Sequence, residues 1–174
     1  APEWVVGSVH AVTEDGKGLT ADWVQYSPGS IKRALAEYLP TLFLDSGSTL
    51  LFPAPSYQVM ASPMNRRDAF LKTSPLVCAN GKWKFHMDSL TAPAEEHNRA
   101  GLSGALVMYV NVPHNPTGMG YTHTDWQALF IWANEHNVTL IVDEAYIDLR
   151  YRDDIVSALQ VPGWERCCIV LQSV

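Results

Sequence analysis

The second half of the chain alternates two kinds of apolar pattern, and few folds satisfy both. "ALVMYV" (105–110) is a short unbroken apolar run, as in a strand buried on both faces. "TDWQALFIWANEHN" (124–137) follows, with Trp126, Leu129, Phe130 and Ala133 at the spacing of one helix face. Thr124 and Gln127 predict a capping box at its start, and Asn137 predicts its stop. "VTLIVDEAY" (138–146) is strand-like and turns acidic at its tip, and "CCIVLQSV" (167–174) is a further buried strand. Strand, helix, strand and strand predict right-handed βαβ crossovers and a largely parallel sheet. Ligands of such sheets sit outside the carboxyl ends of the strands. The two segments with the most unusual chemistry, "NVPHNPTG" (111–118) and "DEAY" (143–146), both lie at those ends.

The first half is less regular. "ADWVQYS" (21–27) reads as a short strand. "PGSIKRALAEYLPTLF" (28–43) reads as a helix capped by Ser30, with Ile31, Ala34, Leu35, Tyr38, Leu39 and Leu42 on one face. Pro40 falls inside that pattern and is expected to kink or end the helix. "STLLFPAPSY" (48–57) reads as a strand leaving into a proline-rich loop, and "DAFLKTSP" (68–75) as another strand. A short exposed element and a helix starting near Asp88 are expected in "GKWKFHMDSLTAPAEEHNRAG" (81–101).

Length and composition narrow the function classes. The 174 residues suggest one domain with a real core. With 47% apolar and 17% charged residues, wholesale disorder is excluded. A net charge of −6 without a Lys/Arg run gives no electrostatic case for nucleic acid or an anionic membrane. Apolar runs are strand-sized, and "APEWVVGSVH" (1–10) lacks the basic start and apolar middle of a leader sequence. Cys78, Cys167 and Cys168 read as free thiols of a cytoplasmic protein, because adjacent cysteines strain a bridge between them. No Cys/His spacing resembles a metal site.

Individual motifs each have a plain and a functional reading. "SPGS" (27–30) before a helix is either an ordinary helix start or a turn whose free N–H groups hold an anion, most simply a phosphate. Asp143 and Glu144 are either a solvent-facing or helix-starting acidic pair, or carry one carboxylate that meets a cationic ligand group. Unit charges about 4 Å apart at an effective dielectric of about 20 attract by about 4 kcal/mol, enough to hold a ring nitrogen protonated. Asp45-Ser46-Gly47-Ser48 matches the aspartic-protease loop, but the βαβ pattern contradicts an all-β fold, and the segment is more simply a turn. No P-loop, G-x-G-x-x-G or G-x-S-x-G is present.

In order, "SPGS", "PAPSY", "PHNPTG", "DEAY" and the final "IVLQSV" closely resemble the class I/II aminotransferases, fold-type I enzymes dependent on pyridoxal 5′-phosphate. The resemblance spans nearly the whole chain. It implies an α/β fold: a three-layer α/β/α large domain with a mostly parallel sheet. It also implies transfer of an amino group between an amino acid and a 2-oxo acid, and a homodimer.

Asn115 matches the asparagine that donates to the cofactor's phenolic oxygen, with a cis Asn115–Pro116 bond aiming it. Tyr146 matches the tyrosine on the same oxygen, and Asp143 the aspartate that pairs with the pyridine nitrogen and keeps the ring cationic. Tyr57 matches the aromatic stacked on the ring. Gly29, Ser30 and Ile31 match the phosphate-holding turn, in a segment one residue longer than is usual in the family. His114 matches a common family histidine without an assigned chemistry.

The resemblance also sets expectations about what lies outside the sequence. The family's Schiff-base lysine is expected just past Val174, since Lys17, Lys32, Lys72, Lys82 and Lys84 stand elsewhere. That implies a portion of the large domain without an N-terminal segment, the lysine region or the small domain, and inactive by itself; the other reading is a truncated binding or dimerisation module. It further implies five strands, with "WVQY" (23–26) displaced, loosely packed, or completed by another chain.

Overall fold

The computed structural model describes residues 11–63 and 67–173. The opening segment 1–10, read above for a leader, lies outside them. Six strands form one sheet: β1 (Thr49–Ala54), β2 (Phe70–Ala79), β3 (Lys82–Phe85), β4 (Leu106–Asn111), β5 (Thr139–Asp143) and β6 (Cys168–Leu171), in the order β3-β2-β1-β4-β5-β6. Every pairing is parallel except the β2–β3 hairpin. Asn80 and Gly81 form its two-residue turn, both with positive φ (52° and 72°). This hairpin makes the sixth strand where five were expected.

Side-chain alternation along the central strands builds three layers. Leu51, Met108, Val110, Leu140 and Val142 face a core shared with α3 (Met87–Arg99) and α4 (His123–Glu135). Their neighbours Leu50, Phe52, Val107, Tyr109 and Ile141 face the opposite core, under the helical run that holds Leu35 and Leu39. Both faces are buried, which is why these strands read as continuous apolar runs. Among the described residues no helix is long and apolar enough to cross a membrane.

Pro40 neither ends nor breaks its helix. The chain runs through α1 (Ile31–Arg33), a π-helical stretch (Ala34–Tyr38) and α2 (Leu39–Phe43). Pro40 has no N–H, and its ring would press on the carbonyl four residues back in a regular helix. The widened turn relieves this: the Leu39 N–H reaches the Ala34 carbonyl, five residues back. The cap of α4 also differs from expectation. Thr122 accepts from the Asp125 N–H at 3.2 Å while Asp125 accepts from the Thr122 N–H at 2.9 Å, a capping box two residues earlier than Thr124/Gln127. Asn137, with φ 56°, follows the helix end as expected.

"ADWVQYS" is not a strand. Residues Ala21–Trp23 form a single 3₁₀ turn, Trp23 packs edge-on against Trp164 with centroids 5.7 Å apart, and Trp23 and Tyr26 stay mostly exposed. The segment is displaced from the sheet and loosely packed. Asp45 and Ser48 form a closed turn between α2 and β1, in which the Ser48 hydroxyl donates to Asp45 Oδ1 at 2.6 Å and accepts the Ala105 N–H at 3.1 Å. In a mostly parallel α/β sheet this turn has no protease role. Cys167 and Cys168 are unbridged, their sulfurs 3.8 Å apart.

Candidate functional site

Parity along β5 decides where its acidic tip points. Asp143 keeps the face of Ile141, on the side of the helical run 31–43; Glu144, one residue on, turns to the face of Leu140 and Val142. Both are buried, at 4% and 1% exposure.

Asp143 Oδ2 accepts from the Tyr109 hydroxyl at 2.8 Å, and Oδ1 accepts the Ala145 N–H at 3.1 Å. Both partners are neutral. Burial pushes the Asp143 carboxyl above the usual range, against the opposing effect of these two hydrogen bonds. Burial, and then Asp143 itself, drives the Tyr109 phenol upward. Tyr57 and Tyr146 each add a smaller electrostatic push in the same direction on Tyr109. Tyr57 is 39% and Tyr146 43% exposed. Phe52 stacks on Tyr109, rings 5.6 Å apart and 12° from parallel, and closes the floor.

Asn115 joins through a residue that sequence reasoning missed. Asn111 is the last residue of β4, paired with Asp143 across the sheet and 2% exposed. Its Nδ2 donates to the Asp143 carbonyl at 3.0 Å, and its Oδ1 accepts the Asn115 N–H at 2.7 Å. One side chain thus ties the backbones of Asp143 and Asn115 together. The Asn115–Pro116 bond is cis, as expected, and so are Val112–Pro113 and Ala54–Pro55. Tyr109 and Asn111 could have been found from the period-two pattern, which puts both on the face of Asp143 at the strand's carboxyl end.

His114 is 2% exposed and bonds both ring nitrogens: Nδ1 with Thr117 Oγ1 at 2.8 Å and Nε2 with Ser56 Oγ at 3.2 Å. Burial pushes its pKa down to about 4, so the ring is neutral at pH 7.

Gly29 and Ser30 stand at the start of the helical run, and Ile31 packs into the cluster of Phe52, Tyr109 and Ile141. That packing connects the turn to the same side of the sheet as Asp143. Gly29 has φ 101°, and a Cβ there would lie 2.9 Å from Arg33 Cδ, so only glycine fits. Ser30 occupies the N-cap position, but its side chain makes no capping hydrogen bond. Its backbone carbonyl accepts from the Arg33 N–H at 2.8 Å.

Glu144 is different. Oε1 accepts the Ala158 N–H at 2.8 Å; Oε2 accepts from the Ser157 hydroxyl at 2.7 Å and from Gln172 Nε2 at 2.8 Å. It caps the 3₁₀ turn Ala158–Gln160 on the side of the core that holds Leu140 and Val142.

The sequence profile of the family described as Aminotransferase class I and II matches residues 9–174. The LL-diaminopimelate aminotransferase of Methanococcus maripaludis is 31% identical over 138 residues, which cover 79% of this chain and 31% of that protein. The enzyme of the same name from Desulforudis audaxviator is 31% identical over 140 residues, covering 79% and 33%. The chain therefore spans about a third of the length of these relatives. Among solved structures, ligand-free BacF from Bacillus subtilis superimposes with a TM-score of 0.72 at 27% identity, over 83% of this chain and 35% of that one. Cystalysin from Treponema denticola, a structure that contains pyridoxal 5′-phosphate, gives 0.71 at 16% identity over 89% and 38%, a likeness of fold alone.

Proposed function

The chain belongs to the class I and II aminotransferases, and on that premise we propose that residues 1–174 form part of the cofactor-binding large domain of an enzyme that uses pyridoxal 5′-phosphate to move an amino group between an amino acid and a 2-oxo acid. The donor set fits that cofactor. Asp143 is a buried carboxylate with neutral partners, so a cationic ring nitrogen would complete it. When bound, the cofactor supplies an electron-poor aromatic ring that withdraws electron density from the substrate's α-carbon.

Each residue then has a defined task. Asp143 accepts a hydrogen bond from the protonated ring nitrogen and fixes its charge. The Asn115 amide and the Tyr146 hydroxyl donate to the phenolic oxygen. Tyr57 covers one ring face and excludes water from it. The N–H groups of Gly29, Ser30 and Ile31, at a helix start, take the phosphate. Tyr109 and Asn111 touch no part of the cofactor in this scheme; they hold Asp143 and Asn115 in place. A homodimer in the cytoplasm completes the proposal, and the three free thiols support the reducing compartment.

The observation that carries this reading is the burial of Asp143 on two neutral partners, with the Asn111 side chain tying its backbone to that of Asn115. A titration of the protein with pyridoxal 5′-phosphate, followed by absorbance, should saturate at one site per chain. The full-length enzyme of which these residues are proposed to be a part, once loaded, should then exchange amino groups between a panel of amino acids and 2-oxo acids. A titration that never saturates would remove the cofactor and the reaction together; saturation without amino transfer would leave the site and reject the reaction.

A further inference from the structure

His114 sits where two loops meet. One loop leaves β1 and carries Ser56 and Tyr57; the other leaves β4 and carries His114 and Asn115. The second is fixed to the sheet. His114 N–H donates to the Met119 carbonyl at 2.8 Å, Gly118 N–H to the His114 carbonyl at 2.7 Å, and Asn115 N–H to Asn111 Oδ1 at 2.7 Å. The first is held at its far end by Val59 and Met60, buried in the core under the helical run. Between these anchors stands Tyr57, more than a third exposed.

The hydrogen bond between His114 Nε2 and Ser56 Oγ spans the two loops next to this residue. Ser56 directly precedes Tyr57, and His114 directly precedes Asn115, so the bridge is one peptide unit from each. The geometry points to His114 as a positioning residue that, through Ser56, sets the ring-covering Tyr57 in register with Asn115. This rests on the pyridoxal-phosphate reading of the site given above.

The chemistry suits a fixed strut. A neutral imidazole has one donor and one acceptor nitrogen, and hydroxyls can answer either. Thr117 and Ser56 therefore satisfy both tautomers, and the depressed pKa keeps the ring uncharged across the neutral range. A histidine serving only to fill the core would need no partner on the loop after β1. The Thr117 bond already closes its own turn, so the Ser56 bond adds a constraint that only the relation between the loops requires.

Four variants of the protein test this: Ser56→Ala, Ser56→Thr, His114→Asn and the double Ser56→Ala/His114→Asn. Asparagine places a polar atom near the position of Nδ1, so it keeps the Thr117 bond but falls short of Ser56. Affinity for pyridoxal 5′-phosphate is read by quenching of aromatic fluorescence. Ser56→Ala and His114→Asn should each weaken binding by about three- to tenfold, as one lost neutral hydrogen bond does. The double variant should be no weaker than either single, and Ser56→Thr should stay within about twofold of the parent. Additive losses in the double variant, or full affinity in Ser56→Ala, would overturn the proposal.

A second readout needs no cofactor. The ¹⁵N shifts of the His114 ring should show Nε2 changing environment in Ser56→Ala while Nδ1 does not. Unchanged Nε2 would overturn the bridge itself. If the parent protein fails to bind the cofactor yet the ring shifts respond, the functional reading has failed and the bridge stands.

Discussion

Asp143 and Glu144 are neighbours in the chain, both buried at the same strand tip, and burial raises the pKa of each. They differ in what surrounds them. Glu144 accepts three hydrogen bonds, from Ser157, Ala158 and Gln172, inside the larger core. Asp143 accepts two, from the Tyr109 hydroxyl and the Ala145 N–H. A buried acid therefore does not by itself mark a site. A carboxylate whose acceptor capacity is used by its own chain is a structural fastener; one left short of donors is available to a ligand.

The largest effect expected from this contrast is on stability. Glu144→Ala leaves the buried Ser157 hydroxyl and Ala158 N–H, and the half-buried Gln172 amide, without their acceptor. It should lower stability by about 3 kcal/mol, or about 6–12 °C in Tm by thermal denaturation. Cofactor affinity of the folded protein should change by less than about twofold. A large loss of affinity with an unchanged Tm would erase the distinction between the two acids.

Asp143→Asn should do the reverse, weakening pyridoxal 5′-phosphate by about 30- to 100-fold, because a charged partner becomes neutral in a buried site. Its effect on the ligand-free protein has a definite sign. A carboxyl whose folded pKa exceeds its unfolded value ionises first in the unfolded chain. Stability is then lost as pH rises from the ordinary carboxylate range, about 4, through the raised value, and the full penalty persists above it. The asparagine variant escapes that penalty. It should melt about 2–4 °C higher than the parent at pH 7, with the gap closing as the pH falls toward about 4. A gap that widened in acid would show that Asp143 is already satisfied.

Asn111→Ala should be the mildest. It frees the Asn115 N–H and one acceptor bond at Asp143 while both side chains that face the ligand remain. A loss of about tenfold in cofactor affinity is expected by the same titration. An unchanged affinity would mean that the loop at Asn115 is held by its own turn.

Much of this molecule was legible because strong periodicity and unusual loop chemistry coincide. The β4–α4–β5 unit followed from apolar runs and helical spacing, and Asp143 from the place where a buried strand turns acidic. Other features were hidden for specific physical reasons. Two Thr-x-x-acceptor frames overlap at 122–127, and spacing does not choose between them; Asp125 bonds back to Thr122 and fixes the earlier one. Asn80-Gly81 is a strong hairpin signal, but β3 is only four residues long and half-exposed, and β2 lacks a clean alternation, so β3 passed as a loose element. "WVQY" has the composition of a strand, yet strand pairing is non-local, and the segment packs on Trp164 instead. Asn111 and Tyr109 look like ordinary strand residues until the register sets them against Asp143.

The wide turn ahead of Pro40 has a consequence for how the segment 28–43 can vary in length. Adding one residue to a regular α-helix rotates everything beyond it by about 100°, which would swing Leu39 out of the core. A π turn takes up a residue locally and leaves the phase of the two ends independent. The glycine-bearing end can therefore gain or lose a residue while the leucine-bearing end stays seated, and the slack is stored midway between them.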